Sequence, residues 1–166
     1  MSDTTTINIP GLPDHANDLV LDRVLDAPAD KLFRCWTDPA LLPKWFVPAP
    51  WSVASVEVDP RPGGRSLVVM RSPEGMEIPN DGVYLEVIPN RRLVFTNAYT
   101  PGWVPADKPF MTAIVNFEPE GDGSKTRYTA IARHWNEQDR KAHEDMGFYV
   151  GWGICADQLE RLARTL

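Results

Sequence analysis

Three histidines, two cysteines and a large aromatic population are the side chains with which this 166-residue chain could do chemistry. His143-Glu144 begins like a His-Glu-x-x-His zinc helix. Gly147 stands where the second histidine belongs, so the segment offers one ligand and no metal is expected. His15 falls in a polar N-terminal stretch, and His134 closes a strand. Cys35 lies between Arg34 and Trp36, where a guanidinium could lower a thiol pKa. Leu32, Phe33 and Trp36 recur around it at helical spacing, however, which makes it part of a packed helix face. Gly121–Thr126 has the glycines and lysine of a phosphate loop, but Ser124 separates Gly123 from Lys125 and the segment joins two strands; it reads as a hairpin turn. No Gly-x-Ser-x-Gly nucleophile elbow occurs.

The aromatic residues are the stronger signal. Trp45, Phe46, Trp51, Met70, Tyr84, Phe95 and Phe117 could line one space with Tyr99, Trp103, Phe110, Tyr128, Met146 and Tyr149. On the last strand Tyr128, Ala130, Ala132 and His134 share a face, and the two alanines leave room where a packed sheet would place Val or Leu. Asn97 sits between Phe95 and Tyr99, a polar group among aromatics. By the same alternation Glu86 shares the face of Tyr84. Ligand pockets combine an apolar lining with a few placed polar groups; here Asn97, Tyr99, His134, Tyr84 and Glu86 would supply them. The expectation is a binding site for a small hydrophobic or aromatic molecule, with no catalytic residue and no cofactor assigned.

Those side chains need elements to hold them. Leu19–Asp26 reads as a strand, and Pro28 opens a helix through Trp36. Asp38-Pro39 starts a second short helix that Pro43 and Pro48 keep short. From Trp51 to Trp135 the apolar period becomes two. Trp51–Val58, Arg65–Arg71, Gly82–Ile88, Arg92–Tyr99, Phe110–Glu118 and Lys125–Trp135 form six strands, with turn chemistry at Pro62-Gly63-Gly64, Pro79-Asn80-Asp81-Gly82, Pro89-Asn90 and Gly121-Asp122-Gly123. Short joints imply antiparallel pairing. Thr100–Pro109 is too rich in Pro and Gly for strand or helix and is expected as a loop, with Trp103 as a lid. Glu137–Leu166 carries no Pro, and Tyr149, Trp152, Ala156, Leu159 and Ala163 recur at helical spacing, as in one long amphipathic helix. Residues 1–18 are read as an arm and 19–166 as a single domain. The class is α+β. A seven-stranded antiparallel sheet is too wide for one helix to fill, so an internal cavity is expected.

This order resembles the START-like (SRPBCC, birch-pollen-allergen-like) helix-grip superfamily. Within it, the chain resembles the family of the C-terminal domain of the activator of heat-shock protein 90 ATPase. The resemblance rests on Ala27-Pro28, Phe33, Trp36-Thr37-Asp38-Pro39 and Trp45-Phe46, then Asp59-Pro60-Arg61-Pro62-Gly63-Gly64-Arg65. It continues in Gly82–Pro89, Arg92–Phe95, Thr126-x-Tyr128 and Gly151-Trp152 with Leu159. It implies a helix-grip fold over residues 19–166, in a family that holds binding proteins, cyclases and proteins of no assigned chemistry. A cyclase, aromatase or hydrolase using the same cavity, with His134, Tyr84 or Glu86 as acid or base, is the alternative function. A chaperone-interacting role is the third; only an arm precedes the fold where the co-chaperone has a separate domain, so ATPase stimulation is not expected.

Composition narrows the partners. Lys plus Arg number 17 against 23 Asp plus Glu, a formal charge of −6 that repels phosphate backbones, so nucleic acid is not expected. No apolar run approaches the roughly 20 residues of a bilayer span, and the start MSDTTTINIP carries no secretory signal. Cys35 and Cys155, 120 positions apart, read as reduced thiols, so the location expected is cytoplasmic. A homodimer is compatible with this reading.

Overall fold

Alternating apolar residues between turn-forming segments build one antiparallel sheet in a computed structural model that describes residues 9–166. Its strands are β1 (Asp18–Leu25), β2 (Ser52–Val58), β3 (Arg65–Arg71), β4 (Glu77–Ile88), β5 (Arg92–Thr96), β8 (Met111–Glu120) and β9 (Lys125–His134). A separate two-stranded ribbon, β6 (Tyr99–Thr100) with β7 (Val104–Pro105), lies between β5 and β8. The seven-stranded order is β1-β9-β8-β5-β4-β3-β2. Every pair is antiparallel, as the short joints require. Bulges at Val53/Ser55 and Tyr84/Glu86 add an unpaired residue to β2 and β4, which bends those strands and curls the sheet.

The helices cover the concave face. On α3 (Phe148–Ala163) Phe148, Ala156, Leu159 and Ala163 are buried, with Trp152 half-buried between them. With α1 (Ala29–Thr37), which buries Leu32, Cys35 and Trp36, the residues Ala156, Leu159 and Ala163 close on Leu93, Val115, Phe117, Tyr128 and Ala130 of the sheet, while Phe148 packs on Leu19 and Ala132. This is the seven-stranded sheet around a C-terminal helix that the alternation and the helical stripe imply. No helix among the described residues is long and apolar enough to cross a membrane.

Four local expectations are corrected. The C-terminal helix is not continuous: α2 (Glu137–Asp145) ends before α3, and Gly147 turns the chain with φ +93°, its N–H donating to the Glu144 carbonyl at 3.0 Å. Glycine supplies that left-handed conformation at no steric cost. The second short helix is one 3-10 turn, Leu42–Lys44, with proline in its first positions. Pro79-Asn80-Asp81-Gly82 is strand, not turn. This half of β4 runs past the end of β5 and pairs with β3 alone in the sheet, an edge position that tolerates proline, and the turn falls instead at Ser72–Met76. The first part of Thr100–Pro109 is a tight ribbon rather than loop: Gly102 and Trp103 take φ +88° and +58°, Thr100 faces Val104, and strand pairing ends at Pro105.

Of the expected N-terminal arm, residues 1–8 lie outside the described residues. Pro13 accepts from Arg133 at 2.7 Å and Asn17 from the His134 backbone at 3.0 Å, so the part that is described is tied to β9.

Candidate functional site

Between α1 and the β3–β4–β5 half of the sheet the curl leaves a partly open pocket of about 70 Å³. Trp36, Leu42 and Phe46 form its helical side, and Val58, Ser66, Val68 and Tyr84 part of its sheet side. Phe46 is held there from the backbone of its segment: Gln158 on α3 donates to the carbonyls of Trp45 and Val47, both at 2.9 Å. The Cys155 thiol donates to the Phe46 carbonyl at 3.4 Å. Asn80–Gly82, Phe95–Asn97, Phe110 and Met111 complete the wall. Gly82 is required by close approach, since a Cβ there would stand 2.0 Å from the Thr96 carbonyl oxygen.

The polar groups of this wall are mostly engaged within the protein. Asp81 takes a two-pronged ion pair from Arg65, at 3.1 and 3.0 Å. Burial pushes the Tyr84 hydroxyl up to about 12 while Ser66 hydrogen-bonds it, so it stays protonated at physiological pH. Thr96 donates to the Met111 carbonyl at 3.1 Å. Asn97 accepts on Oδ1 from the backbone N–H groups of Phe110 (2.8 Å) and Met111 (3.2 Å).

Of the side chains that the sequence nominates, the pocket wall brings together Phe46, Tyr84, Phe95, Asn97 and Phe110. Trp45 is buried beside it, its indole N–H donating to the Cys35 carbonyl at 3.0 Å, and Met70 packs half-buried on the main core. Trp51 is half-buried immediately before β2. Phe117 and Tyr128 meet at a tilt deeper in the core, where Tyr128 accepts from Trp36 Nε1 at 3.2 Å. Glu86 does not share the face of Tyr84. The bulge between them breaks the alternation, and Glu86 pairs outward with Arg92 at 3.2 Å. Tyr99 and Trp103 meet edge to face at 5.9 Å on the ribbon, with Trp103 55% exposed and its ring over Gly63 in the β2–β3 turn, off the pocket wall. Met146 and Tyr149 face outward at the α2–α3 junction.

Ala132 and His134 lie at the other end of the helix. Ala132 packs with Leu19 and Phe148, so the space its small side chain leaves is filled by a ring from α3. Ala132→Leu is therefore expected to strain that contact by about 1–3 kcal/mol and to lower the melting temperature by several degrees with the pocket intact. Denaturant melts that match the wild type would show an empty space there instead.

His134 is buried and forms a pair that sequence spacing did not reveal. Its Nδ1 lies 2.9 Å from the Asn17 carbonyl, and its Nε2 lies 2.9 Å from His143 Nδ1. A carbonyl only accepts, so His134 Nδ1 carries the proton, Nε2 accepts, and His143 donates from Nδ1. Phe110 touches both rings, at 5.3 and 5.2 Å between centroids, and also lines the pocket. Burial, then the nearby His134, lower His143 to about 4. No three metal-ligating side chains converge among the described residues.

The missed wall residues had readable signals in part. Trp36 and Leu42 are apolar residues on short, proline-bounded elements, and Asn80–Gly82 were hidden by their turn-like composition.

A seven-stranded antiparallel sheet gripping a C-terminal helix, with a cleft between its flank and a short helix, defines the START-like helix-grip class, a ligand-binding fold. Residues 26–164 match the family described as Activator of Hsp90 ATPase homolog 1-like protein, and the chain belongs to that family. It is similar to a crystal structure of a Nitrosomonas europaea protein, 45% identical, over 92% of this chain and 97% of that one, with a TM-score of 0.86. A Mycobacterium smegmatis protein is 25% identical over 87% of this chain and 89% of its own, with a TM-score of 0.73. A Rhodobacter sphaeroides structure at 22% identity shares the fold, with a TM-score of 0.78 over 93% of this chain and 97% of that one. No curated protein is significantly similar to the chain.

Proposed function

We propose that this protein binds a small hydrophobic or aromatic molecule whose leading end enters the pocket between α1 and the β3–β4–β5 half of the sheet. The observation that carries this is the composition of the wall: aromatic rings of Trp36, Phe46, Tyr84, Phe95 and Phe110 around one anchored amide, Asn97. Its volume of about 70 Å³ is well below the ~300–1,000 Å³ of sites that enclose a whole ligand, so the body of the molecule rests in the open mouth.

Binding is favoured over catalysis because general acid–base work needs convergent groups able to exchange a proton near the working pH. On this wall Tyr84 is pushed up to about 12 and Asp81 is committed to Arg65. Glu86 and His134 lie elsewhere. Both cysteines are free and raised by burial, Cys35 to about 11 and Cys155 to about 12, which suits inert thiols in a reducing, intracellular setting.

Ligand-observed NMR with indole and naphthalene as probes tests the reading. Both should bind the wild type, and Val58→Phe, which places a ring on the half-buried wall, should weaken them at least tenfold with the near-ultraviolet circular dichroism unchanged. No binding at millimolar protein, or binding indifferent to Val58→Phe, would remove this pocket as the site.

A further inference from the structure

We infer that Asn97 makes this pocket selective for neutral apolar molecules that present a carbonyl-type oxygen, such as an aryl ketone, aldehyde or amide; the inference rests on the pocket reading above. Three observations carry it.

The first is the fixed orientation of the amide. Asn97 Oδ1 accepts from two successive backbone N–H groups, Phe110 and Met111, at 2.8 and 3.2 Å. A flipped amide would set its own N–H bonds against those donors, so the oxygen is committed to the protein and both Nδ2 hydrogens point away from it. No acceptor among the described residues takes either hydrogen, and the side chain is only half-buried. What Asn97 offers the pocket is donors.

The second is that the other polar groups of the wall are spent. Thr96 donates to the Met111 carbonyl and accepts from the Ala98 backbone, while Tyr84 and Ser66 hydrogen-bond each other. Asn80 is exposed at the rim, where water serves it. A ligand oxygen entering among the rings therefore meets one preset donor. A preset donor favours a ligand acceptor of the right shape, because no ordering of the protein side chain is needed on binding.

The third concerns charge. The wall holds no cationic side chain, and the ionised group on it is Asp81, already neutralised by Arg65. An anionic acceptor would lose its hydration without gaining a counter-charge, so a carboxylate is disfavoured against a neutral carbonyl of the same size.

The test uses acetophenone and α-methylstyrene, which share a planar shape and differ in presenting C=O or C=CH₂, with benzoate as the anionic analogue. Because the two neutral probes differ in hydrophobicity, the quantity read is the change in their affinity ratio on substitution. Asn97→Asp keeps an oxygen for the Phe110 and Met111 N–H groups and replaces the donor nitrogen by a second, anionic oxygen. It should weaken acetophenone about tenfold or more while changing α-methylstyrene less than about threefold, the scale of losing one hydrogen bond and gaining a repulsive acceptor. Benzoate should bind the wild type more weakly than acetophenone. In the unaltered protein, acetophenone but not α-methylstyrene should shift the Asn97 side-chain amide protons downfield, a readout that does not depend on the variant folding. Equal losses for both neutral probes, or an amide signal indifferent to acetophenone while both bind, overturns the selectivity and leaves the pocket standing. If neither probe binds the wild type, the pocket reading falls and the inference with it.

Discussion

Phe117→Ala is expected to cost about 3–5 kcal/mol of stability, the range for truncating a fully buried aromatic ring. Phe117 is 0% exposed, on β8. It stands edge-on to Phe33 of α1 at 5.7 Å and tilted against Tyr128 of β9 at 5.8 Å. The ring thus fastens α1 to the middle of the sheet. Tyr128 also depends on the arrangement, because its hydroxyl accepts from Trp36 Nε1 in a buried contact. The void left by alanine has strand backbone on one side, held in register with β5 and β9, and cannot collapse by moving one side chain. At roughly 2–4 °C per kcal/mol for a chain of this size, the melting temperature should fall by about 10 °C. Indole binding measured below the transition should persist, since Phe117 is not on the pocket wall. A loss under about 1 kcal/mol in urea titrations would mean that the α1–sheet contact carries little of the core.

The sequence was most informative where one chemical pattern has one structural outcome. Leu32 and Trp36, or Ala156, Leu159 and Ala163, recur at helical spacing and are buried as that spacing demands, although Tyr149, read onto the same stripe, is exposed. Asn97 was visible as a polar residue flanked by Phe95 and Tyr99, and it does sit on the pocket wall. Other features depend on partners far along the chain. Alternation assumes an unbroken ladder, and one bulged residue after Tyr84 turned Glu86 outward to Arg92. The small side chains of Ala130 and Ala132 were read as open volume. Small residues record only that something large approaches, and in the case of Ala132 it is Phe148, from a helix begun 16 positions later. His143 was set aside because no second histidine follows on its own helix, yet its partner stands at the end of β9. Gly147 carried a legible stop, but the absence of proline from Glu137 to Leu166 let the two helices pass as one.

The histidine pair gives the last expected result: between pH 7 and about pH 4 the protein should lose about 2 kcal/mol of stability through His143, after allowance for screening at a half-exposed ring. In the folded chain His143 is lowered to about 4, first by burial and then by the neighbouring His134. In the unfolded chain it returns to the ordinary histidine value near 6.5. Between those two values the unfolded state binds a proton that the folded state refuses, so stability is full above about 6.5, declines as the pH falls, and levels off below about 4. The geometry says which element suffers. No residue of α2 is fully buried, and its half-buried His143 docks among Phe110, Phe148 and Trp152 while donating to His134. Charging that ring penalises the docked helix, and the surface carboxylates that also titrate at low pH must be separated from it. His143→Asn does so, because its amide nitrogen falls near the position of Nδ1, keeps a donor for His134 and takes up no proton in this range. Urea unfolding at several pH values should give a wild-type curve that drops away from the His143→Asn curve below about pH 6.5. Parallel curves would mean that the ring is solvated in the folded protein and that α2 is held by other contacts.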